Sequence, residues 1–192
     1  MPFFWAKFEN IHGHTFRFDT RIYFTDIVEL EVNDVCIGAV VGKNPGSATG
    51  AVCGKLVPVT PDPTLKSIKG GVENAYMHKY SVCPAPNEYV QVLNLFFLCD
   101  PNLSTAIKKQ RVLPSITDPT ENKDFPWVWY AWGSSNSYLN ALKGRFVGKG
   151  RKLVYLDNSG SFYNRFPHPP VLARHPLILK HALISSALQT VI

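Results

Sequence analysis

The chain has 192 residues, of which 45% are hydrophobic and 18% are charged. This composition is typical of one folded globular domain and excludes a disordered chain. The net charge of +6 favours phosphate-rich partners, and no apolar run reaches the roughly 18 residues that a membrane span needs. We therefore expect a single domain over residues 1–192 that resides in the cytoplasm, acts as a monomer and does not enter a membrane.

The first clear element in chain order is a half-buried strand at 14–24, where polar and apolar residues partly alternate. The continuous apolar run at 34–42 predicts a strand that is covered on both faces. Similar apolar runs predict three further strands, at 88–99, 125–133 and 151–157.

Helical segments separate these strands. Thr64 is a candidate N-cap for a helix that begins near Leu65 and that Gly70 and Gly71 break or end. A second helix is predicted to stop at Gly144, and the apolar spacing of residues 175–192 predicts an amphipathic third helix. Apolar strands alternating with helices predict an α/β fold, specifically a three-layer α/β/α arrangement around a central, mainly parallel sheet.

In sheets of this kind, ligands bind at the carboxyl ends of the strands. Lys43-Asn44-Pro45-Gly46 follows the first apolar strand, and Asn94 lies near the end of the second. Gly133-Ser134-Ser135-Asn136 follows the third strand, and a long polar loop follows the fourth. We therefore expect these polar side chains to converge on one site.

Common site motifs are absent from the sequence. The segment at 38–43 has the wrong spacing for a P-loop, and neither G-x-G-x-x-G nor G-x-S-x-G occurs. Four scattered cysteines form no C-x-x-C pair and are expected to be free thiols. His12 and His14 lack the partners of a metal site, so we expect neither a metal nor a cofactor.

Three segments resemble motifs of the uracil-DNA glycosylase superfamily, in the same order. GKNPG at 42–46 resembles the G-x-N-P-G motif of its mismatch-specific uracil/thymine branch. VLNLFF at 92–97 resembles the apolar strand that carries a base-reading asparagine, and HPPVLARHPLILK at 168–180 resembles the His-Pro loop before the last helix. The resemblance implies a single uracil-DNA-glycosylase-like domain.

A second resemblance covers most of the chain. It is carried by the segments NPGSAT, PDPTLKSI, LNLFFLCDP, WYAWG and RHPLIL, which are similar to the bacterial family called domain of unknown function 1643. That family usually has N-P-S-T where this chain has Asn44-Pro45-Gly46-Ser47. Gly46 therefore brings this chain nearer to the glycosylase pattern.

The glycosylase resemblance implies roles for individual residues. Asn44 would position the hydrolytic water, and His168 would contact the leaving base, with His175 as the alternative histidine. Asn94 would read one pyrimidine edge, because an amide both donates and accepts hydrogen bonds. Without the resemblance, Asn44 could equally cap a turn, and Asn94 could pair with backbone inside the core.

The same resemblance suggests which base is removed. Uracil-specific members place an aromatic residue after the motif proline, where this chain has Gly46. A base site that includes Gly42, Gly46 and Ser47 would leave room for a 5-substituted pyrimidine. Since members of the superfamily are implicated in defence against phages with hypermodified cytosines, a defensive role is consistent with this.

The expected partner is DNA, with the target base flipped out of the stack into the pocket. The cations predicted to contact its phosphates are Lys43, Arg145, Lys149, Arg151, Arg165, Arg174 and His175. The resemblance thus implies a monofunctional DNA glycosylase. Two alternatives are an N-glycosidase acting on free nucleosides or nucleotides, and a non-catalytic module that binds modified bases or nucleic acid.

Overall fold

A computed structural model describes residues 3–27, 29–133, 136–169 and 171–192. The described residues form one eight-stranded sheet, four α-helices and three short 3-10 helices. The strands are β1 Phe4–Ile11, β2 His14–Tyr23, β3 Val35–Gly42, β4 Leu56–Pro58, β5 Glu88–Asn94, β6 Trp127–Tyr130, β7 Lys152–Leu156 and β8 Phe162–Tyr163. The helices are α1 Pro63–Tyr80, α2 Leu103–Val112, α3 Ser137–Lys143 and α4 His181–Leu188, and the 3-10 helices are Pro119–Asn122, Gly144–Phe146 and Pro176–Ile178.

The strand order is β4-β1-β2-β5-β3-β6-β7-β8. The central strands β5, β3, β6 and β7 are parallel, whereas β4, β1 and β2 on one side and β8 on the other pair antiparallel. The α/β class is therefore confirmed. A mainly parallel sheet is not, because four of the seven neighbouring pairs are antiparallel.

The antiparallel side arises from a hairpin at the start of the described chain. β1 was not predicted, because its aromatic residues do not alternate cleanly with polar ones. It turns into β2 through His12 and Gly13, both with positive φ (53° and 76°), as a tight two-residue hairpin turn requires. β2 then pairs with β5, so it lies inside the sheet.

Two hydrophobic clusters cover the two faces of the sheet. Val40 packs in one cluster with residues of α1 and α4, and its neighbours Ala39 and Val41 pack in the other with residues of α2 and α3. Successive strand residues point to opposite faces, so both faces of β3 are buried. The prediction that this apolar strand is covered on both sides is confirmed.

Helix α1 differs from its prediction at both ends. Its N-cap is Asp62, whose Oδ1 accepts a hydrogen bond from the Leu65 N–H at 2.9 Å, and Thr64 lies inside the helix. The helix passes through Gly70 and Gly71 because these residues allow α4 to approach closely. A Cβ built on Gly70 would lie 2.8 Å from the His181 ring.

Gly71→Ala is expected to destabilise the protein by about 1–2 kcal/mol, because the added methyl overpacks the α1–α4 contact. An alanine Cβ there would lie 2.5 Å from Ile184 Cγ2. Gly144→Ala is the matched control, since apart from the local backbone and the adjacent residues no described atom lies within 4 Å of its added Cβ. Urea denaturation measures both variants, and equal stability of the two would contradict this packing.

Other boundaries shift modestly. β5 ends at Asn94, although the predicted strand ran to 99, and the next two N–H groups, of Leu95 and Phe96, donate to the carbonyls of Gly42 and Lys43. Helix α2 was missed, and the predicted helix at 175–192 is divided into a 3-10 turn and α4. The four cysteines are free, as predicted. None of the helices in the described ranges is long and apolar enough to cross a membrane.

Candidate functional site

A cavity of about 90 Å³ lies at the carboxyl ends of the central parallel strands. Gly42 at the end of β3, Asn94 at the end of β5 and Ala131 just after β6 contribute to its wall. The start of α1 and Pro176 also line it. The polar side chains of the lining belong to Arg17, Lys43, Asn44, Asp62, Thr64, Asn94 and His175.

Asn44 follows β3 and is held by one defined contact. Its Nδ2 donates a hydrogen bond to the Asp100 backbone carbonyl at 3.1 Å. The side chain therefore has a fixed orientation, and its Oδ1 is the atom that can accept a hydrogen bond from a ligand or water.

Gly46 completes the same loop with a backbone conformation that favours glycine. Its φ is +66°, and a Cβ built on it would lie 3.0 Å from Asp62 Oδ2. The two carboxylate oxygens of Asp62 therefore face different elements: Oδ1 caps α1, and Oδ2 faces the loop. The loop after β3 and the start of α1 therefore lie close together at Gly46.

Asn94 is only 2% exposed, and its Nδ2 has no hydrogen-bond partner among the described residues. Gly42 lies against its amide, since a Cβ there would be 3.0 Å from Asn94 Oδ1. An unpaired buried donor is costly unless a ligand or water satisfies it. The cavity therefore offers a donor that the fold itself leaves unused.

The two candidate histidines have different environments. His175 lines the cavity, whereas His168 is exposed, is not part of the lining and packs its ring edge against Phe166. Between the two histidines, the Ala173 carbonyl accepts a hydrogen bond from the Gly133 N–H at 2.6 Å, which fixes this segment beside the end of the third parallel strand. His175, two residues further on, is thereby brought beside the loop after β3.

The protonation state of His175 follows from its contacts. Burial lowers the pKa of His175, Lys43 nearby lowers it further, and Asp62 opposes them. The Leu177 N–H donates to His175 Nδ1 at 3.4 Å. A neutral ring that accepts at Nδ1 carries its proton on Nε2, so His175 can donate a hydrogen bond from Nε2.

This lowered pKa predicts that stability falls on acidification. The unfolded chain binds a proton at its ordinary pKa of about 6.5, while the folded chain resists protonation. The full contribution of His175 to the free energy of unfolding is therefore present above about pH 6.5. It is lost progressively as the pH falls below that value. His175→Gln is expected to flatten the dependence of Tm on pH between about pH 5 and 7, and an unchanged slope would contradict it.

Two residues of the cavity were missed from the sequence. The half-buried strand predicted at 14–24 did not single out Arg17, yet Arg17 is only 2% exposed and lines the cavity. The predicted N-cap of α1 was Thr64, whereas the observed N-cap is Asp62. Pro63, at the first helical position, was the signal that identifies Asp62, because proline favours that position directly after an N-cap.

A second cavity of about 410 Å³ adjoins the first at Gly46, which lines both. Ser47, predicted to bind the base, is exposed and lines only this second cavity. Phe8, Cys99 and Pro101 lie on its other sides. Space is therefore available on the far side of Gly46.

The predicted phosphate-binding cations do not form one patch. Lys43 lies in the cavity wall, and burial lowers its pKa. Arg151 precedes β7, at the amino ends of the parallel strands, where it pairs with Asp124, and the Lys149 backbone N–H bonds to the Phe146 carbonyl. The structure therefore does not bring Lys43 and Arg151 together.

The other predicted cations have identifiable neighbours. Arg145 pairs with buried Glu121 and donates to the Leu95 carbonyl at 2.8 Å, directly behind Asn94. Arg174 donates to the Asn158 carbonyl at 2.5 Å. Exposed Arg165 lies over the Tyr163 ring. Of these three, Arg165 is the most accessible, while Arg145 supports the loop behind the cavity.

Ser134 and Ser135, expected near the end of the third strand, lie outside the described residues. No group of three or more metal-binding side chains occurs within the described ranges.

Comparison of the chain with protein-family models, with curated proteins and with solved structures gives no match. The likeness to the glycosylase superfamily therefore remains one of short motifs. The residues of the cavity are therefore the observations that bear on function.

Proposed function

We propose that the protein is a DNA glycosylase that hydrolyses the N-glycosidic bond of a flipped-out, 5-substituted pyrimidine and leaves an abasic site. One observation carries this proposal. Asn44 and Asn94, which come from two separate motifs of the resemblance, line a single cavity together with His175. This is the constellation that the chemistry requires: a water-binding group, a base-reading group and a donor for the leaving base.

The reaction would proceed by displacement of the base by water. Asn44 Oδ1 accepts a hydrogen bond from a water, whose oxygen forms a bond to C1′ of the sugar. The bond between C1′ and the pyrimidine nitrogen breaks, and its electron pair leaves with the base. The proton released by the water passes to solvent, and the departing base finally takes up a proton.

The leaving base carries negative charge, which oriented donors stabilise. His175 Nε2–H and the unpaired Nδ2 of Asn94 are such donors in the cavity wall. Asn44 is not ionised, so it orients water without removing a proton. This arrangement suits a substituted base that leaves more readily than plain uracil.

The proposed base carries a substituent at its 5-position. Gly46 has no side chain to close the cavity, and a second, larger space adjoins it. A substituent directed past Gly46 would enter that space. A defensive role against DNA with modified pyrimidines is consistent with this substrate.

The fold is proposed to be the three-layer, uracil-DNA-glycosylase-like arrangement. Its support is the parallel centre β5-β3-β6-β7, with α1 and α4 packed in one hydrophobic cluster and α2 and α3 in the other. The antiparallel β1–β2 hairpin and β4 would be additions at one side of that core.

A second candidate is hydrolysis of free nucleosides or nucleotides. The division of the predicted phosphate-binding cations favours it, because Arg151 lies at the strand ends opposite the cavity. Steep salt dependence of DNA binding would support the DNA substrate, and salt-independent turnover of nucleosides would support the alternative. A non-catalytic binding module would bind DNA and leave no abasic sites.

The proposal is tested with labelled duplex and single-stranded DNAs that contain uracil, thymine, or cytosine or uracil with 5-substituents of increasing size. Alkaline treatment converts abasic sites to strand breaks, which a gel resolves. Breaks at a 5-substituted pyrimidine are expected, with less cleavage at plain uracil. If uracil is cleaved equally well, the 5-substituted substrate class is wrong.

A further inference from the structure

The cavity contains a cation that the proposed reaction has not yet used. Arg17 lies in the middle of β2, between Phe16 and Phe18, which pack in the cluster on the opposite face of the sheet. Its side chain therefore points to the cavity face, where it lines the wall with Val40 and Val92. Only 2% of Arg17 is exposed.

The fold supplies few partners for the charge and the hydrogen-bond donors of Arg17. Its Nε and Nη1 have no hydrogen-bond partner among the described residues. Cys99 and Asp62 act on its charge through space, but Asp62, the acidic residue of the cavity lining, uses Oδ1 to cap α1. A buried guanidinium with unpaired donors is strongly unfavourable, so its retention in a cavity points to an external partner.

The fully buried side-chain atoms of the cavity lining that lack a hydrogen-bond partner share one polarity. Arg17 Nε, Arg17 Nη1 and Asn94 Nδ2 are all donors. Burial lowers the pKa of Arg17, but a guanidinium stays protonated in proteins, so the charge persists. Complementary ligand atoms must therefore be acceptors, and a negatively charged oxygen would satisfy the charge as well as the hydrogen bonds.

We propose that Arg17 binds an oxyanion of the substrate, meaning an oxygen acceptor with full negative charge, inside the cavity. Two chemical groups provide such oxygens: an acidic substituent on the pyrimidine, such as a carboxylate, and the phosphate of a nucleotide. The inference depends on the proposed function only in identifying this cavity as the substrate pocket. It narrows the proposed 5-substituted pyrimidines to those that place an anion at Arg17.

Calorimetry with small probes tests this without requiring cleavage. The probes are uracil-5-carboxylate, the neutral 5-hydroxymethyluracil and inorganic phosphate. The wild-type protein is expected to bind one of the two anions at least about tenfold more tightly than the neutral base. Tight binding of the carboxylate alone identifies the base as the source of the anion, whereas binding of phosphate identifies the phosphate.

Arg17→Met removes the charge, and Arg17→Lys keeps the charge without the planar fork. The methionine variant is expected to lose the preference for the anion, and the lysine variant to keep part of it. Arg165→Met is the matched control, since Arg165 is exposed and outside the cavity. Equal anion binding by wild type and Arg17→Met, or no binding of any probe by wild type, would overturn the proposal.

Thermal unfolding without ligand separates a binding role from a structural one. Because an unpaired buried charge destabilises the folded state, Arg17→Met is expected to raise Tm by about 2 °C or more. A fall in Tm, or failure to fold, would show that Arg17 supports the fold and would overturn the proposal. Anion binding at Arg17 without base release from any DNA would refute only the glycosylase function.

Discussion

Asn44→Ala is expected to slow base release by about 100- to 1,000-fold while DNA affinity stays within about twofold of wild type. The alanine cannot accept a hydrogen bond from the hydrolytic water, and it also loses the contact from Nδ2 to the Asp100 carbonyl. Single-turnover cleavage and a fluorescence binding assay measure the two quantities separately.

Asn164→Ala is the matched control for this variant. Asn164 is exposed, its Nδ2 donates to Thr190 Oγ1 at 2.9 Å, and it is not part of the cavity lining. Its substitution should leave cleavage unchanged. If Asn44→Ala retains activity similar to that of Asn164→Ala, then Asn44 does not position the water.

Asn44→Asp tests the same position by adding a carboxylate instead of removing the polar group. An aspartate can take a proton from water, which an asparagine cannot do. Arg17 and Lys43 line the same cavity and would keep the new carboxylate ionised. We expect faster release of plain uracil by this variant, so that the advantage of substituted bases shrinks.

Gly46→Ala is expected to lower activity on bulky 5-substituted pyrimidines at least about tenfold relative to plain uracil. The new methyl would lie 3.0 Å from Asp62 Oδ2, at the junction between the two cavities. The variant should also lose about 1 kcal/mol of stability, because alanine is disfavoured at a φ of +66°.

Gly54→Ala separates these two effects. Gly54 has a φ of +68°, and apart from its two chain neighbours no described residue has an atom within 4 Å of its added Cβ. It should therefore show a similar loss of stability with an unchanged preference among bases. An unchanged base preference in Gly46→Ala would mean that substituents do not pass this glycine.

The central strands and their loops could be predicted because their signals are local. The apolar run of β3 is buried on both faces, and the GKNPG loop follows it directly, so Asn44 could be placed at a strand end. The same reasoning placed Asn94. In both cases, the residue's position depends on one strand and on the rule that parallel strands end on the same side.

Arg17 could not be found in this way, because its burial depends on topology. An alternating strand normally has one wet face, so an arginine between two phenylalanines indicates solvent. β2 instead lies between β1 and β5 within the sheet, and the start of α1 lies over its second face, where Leu65 and Ile68 line the cavity together with Arg17. Without the unrecognised β1, this arrangement was not visible in the sequence.

The choice between two His-Pro pairs also depended on a tertiary contact. His168 and His175 have similar local sequences, and spacing within the resembling motif favoured His168. The hydrogen bond between Gly133 and Ala173 decides which of them reaches the cavity. Gly70 and Gly71 illustrate the same point, since a local helix-breaking pattern was outweighed by packing against α4.

The most direct test of the central claim is the free base released from DNA that contains a 5-substituted pyrimidine, quantified by mass spectrometry alongside the abasic sites formed. One intact base per abasic site is expected with wild-type protein, and none above background with Asn44→Ala. Absence of released base from every modified DNA, with protein that is folded and binds that DNA, would contradict the assignment of this cavity to base excision.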